Sequence, residues 1–219
     1  MSSLPQFAAA GPAAAMSDSI ATALVGPGYV SVDAALPAAL TDALFVHFKS
    51  LADAELRRAG IGQLRDHRVN GFVRSDSIAW LNGDHAATRD YLDWMEQLRL
   101  ALNRRLFLGL FDFECHYARY SEGTFYRKHY DAFRGRSNRV VSSVFYLNPA
   151  WAPADGGELL IYDAADQLLE RVVPQYGRMV LFLSERFPHE VLPVHKPRYS
   201  IAGWFRINNS INNRIDPPR

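Results

Sequence analysis

The stretch "RVVSSVFYL", Arg139 to Leu147, decides how the rest of the chain is read. Valines and aromatic residues surround a pair of serines, and Asn148-Pro149 follows at once. A short run rich in β-branched and aromatic residues that ends on a turn signal marks a β-strand. Runs of the same kind lie on both sides: "FDFECHYARY" (Phe111–Tyr120), "GELLIY" (Gly157–Tyr162), "RMVLFL" (Arg178–Leu183), "HEVLPV" (His189–Val194) and "RYSIAGWFR" (Arg198–Arg206). Gly156-Gly157 and Lys196-Pro197 punctuate them. Several short strands at such spacing predict a sandwich or jelly roll.

Upstream the period changes. Leu40, Leu44, Phe48 and Leu51 form one apolar stripe after Pro37, with Gly60 as a stop signal. A second helical stripe runs through Tyr91, Met95, Leu98, Leu102 and Leu106. Asp84 is its expected N-cap, and Gly109 lies just past its end. Between the stripes a polar stretch predicts a long loop before a short strand at Ile78–Leu81. The fold class expected is therefore α+β with a mainly β core, its helices packed against one face of a sheet.

The chain has 219 residues, room for one sizeable domain. Residues 1–17, rich in Ala, Pro, Gly and Ser, read as a flexible leader. Residues 18–110 read as helical support plus a substrate loop, 111–207 as the β core of the same domain, and 208–219 as a polar tail. A net charge of +1 argues against bulk binding to nucleic acid or a membrane surface. No apolar run reaches the roughly 20 residues needed to cross a bilayer. The single cysteine, Cys115, excludes an internal disulfide and fits a reducing, cytoplasmic setting. No basic segment opens the chain as a secretory signal would.

The sequence "RKHYDAFRG" (residues 127–135) places His129 and Asp131 two apart. Residues two apart on a strand point the same way, so an imidazole and a carboxylate there can converge on one ion. Alone the pair is unspecific and equally describes a surface turn. His189 lies beside an apolar run and is the preferred third ligand, whereas His195 sits among prolines in an exposed turn. Two histidines and one carboxylate are the facial set of non-haem Fe(II) oxygenases, although zinc accepts the same ligands. Arg198, nine positions after His189, weighs in the decision: buried, its planar fork suits a carboxylate, whereas on a strand surface it would pair with some Asp. Tyr120 and Tyr146 offer hydroxyls nearby.

With these pieces in order, the stretch from Cys115 to Phe205 resembles the 2-oxoglutarate and Fe(II) dependent prolyl 4-hydroxylases. It is nearest the Egl-nine type that acts on hypoxia-inducible factor, together with bacterial relatives. The resemblance rests on Tyr120, Tyr126, His129 and Asp131, on "RVVSSVFYLN", "GGELLIY", "PHEVLP" and "RYSIAGW", and upstream on "VRSDSIAWL". It implies a double-stranded β-helix, a form of jelly roll, with N-terminal helices buttressing one sheet. It implies that His129, Asp131 and His189 bind Fe(II). Arg198 and Tyr146 would hold the distal carboxylate of 2-oxoglutarate, Tyr120 would contact the cosubstrate near the metal, and Trp204 would line the pocket. Arg139, Tyr126 and the loop from about Gln63 to Asp76, with Arg74, would form the substrate entrance. Two departures stand out. The segment between Tyr120 and His129 is one residue shorter than in the animal enzymes, and Ala202 replaces a hydroxyl residue.

The resemblance also implies a reaction: decarboxylation of 2-oxoglutarate to succinate and carbon dioxide, coupled to hydroxylation by molecular oxygen, with ascorbate as reductant. Asp131 favours hydroxylation over halogenation, which needs a vacant ligand position. The implied substrate is a prolyl residue in a protein, with a bacterial translation factor such as elongation factor Tu as candidate. A small-molecule dioxygenase and an oxygen or 2-oxoglutarate sensor without turnover are the alternatives.

Overall fold

The computed structural model describes residues 11–58, 75–132 and 137–208. The strand reading holds from Arg139 to Tyr146, one residue short of Leu147. Arg139–Tyr146 is strand β6, set in an order that runs α1 (Ala14–Val25), β1 (Tyr29–Val32), α2 (Ala38–Ser50), β2 (Arg57–Arg58), β3 (Ser77–Trp80), α3 (Ala86–Leu106), β4 (Leu110–Tyr120), β5 (Tyr126–His129) and then β6. After it come β7 (Leu159–Tyr162), β8 (Leu168–Val172), β9 (Met179–Leu183), β10 (His189–Val191) and β11 (Arg198–Ile207). They form a seven-stranded sheet, β1-β9-β6-β11-β4-β3-β2, and a four-stranded one, β5-β10-β7-β8. Every strand pairing among the described residues is antiparallel. This is the two-sheet architecture of a jelly roll.

Alternation along the strands sorts the side chains into two cores. On the outer face of the large sheet, Phe113, Cys115 and Tyr117 of β4, Val141 and Phe145 of β6, and Ile201 and Phe205 of β11 pack against the helices. Leu40, Leu44 and Phe48 of α2, with Tyr91, Met95, Leu98 and Leu102 of α3, supply the other half of that core. On the inner face, Ala118, Tyr120, Tyr146, Val180 and Phe182 meet Leu159, Ile161 and Val191 of the small sheet. The inner core holds fewer residues because the site occupies part of the space between the sheets.

Some expectations shift. The leader expected through residue 17 gives way to α1 at Ala14, where Ser17, Ile20, Ala21 and Leu24 are buried. Strands β1 and β8 carry no strong pattern and were not expected. His85 rather than Asp84 caps α3, its Nδ1 accepting from the Ala87 N–H at 3.2 Å. That helix ends on Phe107, a non-glycine in the left-handed region at φ 53°. Gly60, Arg74, most of the loop from Gln63 to Asp76 and nearly all of the tail lie outside the described residues.

Candidate active site

Two strands of the small sheet bring the histidines together. β5 and β10 pair in a register that sets His129 directly opposite His189. Side chains so paired share a face, and the ring centroids are 4.3 Å apart. Each ring is oriented by its own backbone. His129 Nδ1 lies 2.8 Å from the Arg127 carbonyl and His189 Nδ1 lies 3.1 Å from that of Phe187. A carbonyl only accepts, so Nδ1 carries the proton on both rings and each Nε2 presents a lone pair. Both Nε2 atoms face Asp131, at 3.6 Å from Oδ1 for His129 and 3.5 Å from Oδ2 for His189. One ligand atom from each of the three residues falls within 4.8 Å of the others, and no other such group occurs among the described residues.

The electrostatics suit a cation. Burial lowers the His189 pKa, His129 beside it adds to the effect, and the result is about 4, so the ring is neutral at ordinary pH. Burial would raise the Asp131 pKa, but facing His189 and His129, with Arg139 farther off, hold the carboxyl well below the usual range. A carboxylate facing two imidazole nitrogens is a donor set for a divalent ion.

Arg198 opens β11 opposite Tyr120 of β4. It is 1% exposed. Its guanidinium carbon lies 4.9 Å from the Tyr120 ring centroid and 5.0 Å from that of Tyr146. Nη1 donates to Ser200 Oγ at 3.2 Å, and no carboxylate among the described residues pairs with it. Its Nε and the Tyr146 hydroxyl are both buried with no hydrogen-bond partner. Burial pushes the Tyr146 pKa up and the Arg198 charge partly offsets it, so the phenol stays a donor. Buried polar groups are rarely left unpaired, and a buried guanidinium with no anionic partner is costly. These two donors therefore form a cradle for an anion; Arg198 lines one pocket with Tyr120, Tyr126, His129, Asp131 and His189, and the fully buried Tyr146 packs behind it. Fe(II) and a dicarboxylate cosubstrate both fit the residues present.

Glycine makes that cradle possible. At Gly157 (φ +68°) an added Cβ would meet Val194 Cγ1 at 2.6 Å and Arg198 Cδ at 3.0 Å. The Gly-Gly pair read as a turn signal thus also clears space for the Arg198 stem.

The other expected residues gather at the pocket rim. Tyr126 stacks on His129, centroids 3.6 Å apart at 15°. Arg139 lies 3.6 Å over the Trp204 ring and its Nη2 bonds Glu114 at 2.9 Å. Asp76, expected at the entrance, is 1% exposed and is not among the residues that line the pocket. His195 is exposed, as its prolines suggest. Sequence reasoning missed Ser142, whose hydroxyl donates to Asp131 Oδ2 at 2.7 Å. A larger cleft, about 530 Å³, lies between α2, β3 and the start of α3 and contains none of the three candidate ligands.

The sequence profile of the 2OG-Fe(II) oxygenase superfamily matches residues 115–206. A solved prolyl-4-hydroxylase from Pseudomonas putida is 42% identical, with TM-score 0.79, over 88% of this chain and 99% of that one. The chain belongs to the 2OG-Fe(II) oxygenase superfamily. Membership makes it an oxidoreductase of the class that uses Fe(II) and 2-oxoglutarate. Prolyl hydroxylase EGLN3 of Mus musculus is 30% identical over 160 residues, 66% of each chain. A Trichoplax adhaerens prolyl hydroxylase, solved with a peptide fragment of hypoxia inducible factor, is 26% identical, with TM-score 0.78, over 88% of this oxygenase and 90% of that chain. The oxygenase spans just under two thirds of the EGLN3 length and 20% of the Caenorhabditis elegans hypoxia-inducible factor prolyl hydroxylase. Among the described residues no helix is long and apolar enough to cross a membrane.

Proposed function

We propose that this oxygenase hydroxylates a prolyl residue in a protein to 4-hydroxyproline, consuming 2-oxoglutarate and oxygen. The observation that carries the reading is the buried Arg198–Tyr146 pair, whose Arg198 Nε and Tyr146 hydroxyl are left without a hydrogen-bond partner, beside the His129–Asp131–His189 cluster. The prolyl target draws support from the Pseudomonas putida enzyme and from the Egl-nine relatives.

His129 Nε2, the Asp131 carboxylate and His189 Nε2 would hold the iron. Bound iron with 2-oxoglutarate supplies the oxidising chemistry, in which decarboxylation to succinate and carbon dioxide is coupled to C–H hydroxylation. The chain's own residues position and exclude. Arg198 and the Tyr146 hydroxyl bind the distal carboxylate, and the Tyr120 ring walls the same space. Trp204 and Tyr126 are apolar walls that keep water from the reacting centre. Arg139, held by Glu114 and Trp204, stands at the mouth where a peptide backbone would enter. The candidate protein is a bacterial translation factor such as elongation factor Tu. That choice rests on resemblance to the bacterial branch alone.

The test is a paired reaction. Lysate lacking the enzyme is incubated with Fe(II), 2-oxoglutarate, ascorbate and air, with a His129→Ala control. A prolyl peptide gaining one oxygen only with active enzyme is the expected result. Succinate without any modified peptide would replace the protein target with a small molecule. Iron binding without succinate would leave a sensor.

A further inference from the structure

His129 and His189 are fixed by strand pairing and by their own backbone carbonyls, but Asp131 lies past the end of β5. Something else must set its carboxylate. Ser142, 1% exposed on β6, donates its only hydroxyl proton to Asp131 Oδ2 at 2.7 Å, since an ionised carboxylate can only accept. Ser184 Oγ is 2.9 Å from Ser142 Oγ, and with that proton committed Ser184 must be the donor. Both serines have rigid backbones. Ser142 is paired with Trp204 and Phe182 in the sheet, and the N–H of Ser184 donates to the Val140 carbonyl at 3.0 Å. The result is a directional chain, Ser184 to Ser142 to Asp131, with both serines buried and the carboxylate facing the pocket.

We propose that Ser142, backed by Ser184, is a positioning residue that fixes the rotation of the Asp131 carboxylate, engages Oδ2 and leaves Oδ1 free to ligate the metal. The inference rests on the metal-site reading above. Outer hydrogen bonds to metal ligands commonly change affinity by roughly 10- to 100-fold. Ser143, the next residue on β6, is buried as well but has no hydrogen-bond partner for its hydroxyl, whereas the Ser142 hydroxyl has this one charged acceptor.

The experiment is Mn(II) titration of the metal-free full-length protein, read by loss of the free-ion electron paramagnetic resonance signal. Ser142→Ala is expected to weaken Mn(II) binding about tenfold or more, and Ser142→Thr to restore it to within about threefold. Ser184→Ala should give a smaller loss, about threefold, with the apparent 2-oxoglutarate KM unchanged in all three. If Ser142→Ala fails to fold, Ser184→Ala carries the test. Affinity within twofold of wild type in the folded alanine variants would overturn the inference. Asp131→Ala separates the two levels: unchanged Mn(II) binding there would remove the metal site itself, whereas its loss beside an unaffected Ser142→Ala would remove only the serine role.

Discussion

At the scale of single residues, Arg198 is the most demanding position in the pocket. Its charge is buried between two tyrosine rings with an unused Nε. Lysine keeps the charge but loses the planar fork. Arg198→Lys is expected to raise the 2-oxoglutarate KM at least about tenfold while Mn(II) affinity stays within twofold; equal KM values in steady-state assays would contradict the cradle. Cys115 gives a contrasting prediction. It is 2% exposed in the helix-facing core and burial pushes its thiol pKa far up. The native protein should therefore resist a thiol reagent, with one equivalent reacting per chain only on unfolding. How these residues were legible differs. Arg198 and His189 stood out because polar residues bordering apolar runs are conspicuous. Ser142 did not, since its partners lie 11 and 42 residues away and serine in a strand has many ordinary explanations.

At the scale of elements, the two faces of β11 separate stability from chemistry. Gly203 faces the helices, and a Cβ there would meet Phe113 Cζ at 2.4 Å and Cys115 Cβ at 2.8 Å. Gly203→Ala is expected to destabilise by about 1–3 kcal/mol through overpacking, measured by denaturant unfolding. In the surviving folded fraction the 2-oxoglutarate KM should not move. Gly157→Ala should instead raise that KM, because its Cβ presses on the Arg198 stem. Farther along β11, Arg206 pairs bidentately with Asp112, and both are buried. Asp112→Ala leaves that cation buried, and a loss of about 3–5 kcal/mol is expected. The strands could be read because β-branched and aromatic runs announce themselves. α1 could not, because an alanine-rich segment looks unstructured until Ile20 and Leu24 find a core built by residues far along the chain.

At the scale of the whole molecule, the order of helices before a β core followed from the change of period near residue 110. The sheet order did not, because β6 pairs with β9 and β11 rather than with its neighbours in sequence. Ligand binding should be visible globally. A ligand at 100 times its Kd adds about 2.7 kcal/mol, and for a chain of this size that raises Tm by roughly 5–10 °C. Adding Mn(II) and 2-oxoglutarate to chelator-treated protein should shift the calorimetric transition by at least that much, and chelation should reverse it. His129→Ala should show no metal-dependent part.

The metal cluster also sits on a mechanical seam. His129 and His189 belong to the small sheet, whose β5 and β10 have four and three residues, while Ser142 and Arg198 belong to the large one. An ion and a dicarboxylate held there would act as a rivet through both layers. The short strands have little else to resist local opening. Amide hydrogen exchange in β5 and β10 should therefore be fast in the metal-free protein and slow sharply on loading, while β4, β6 and β11 scarcely change. The chain would keep its scaffold at all times and close its catalytic lip only when both cofactors are in place.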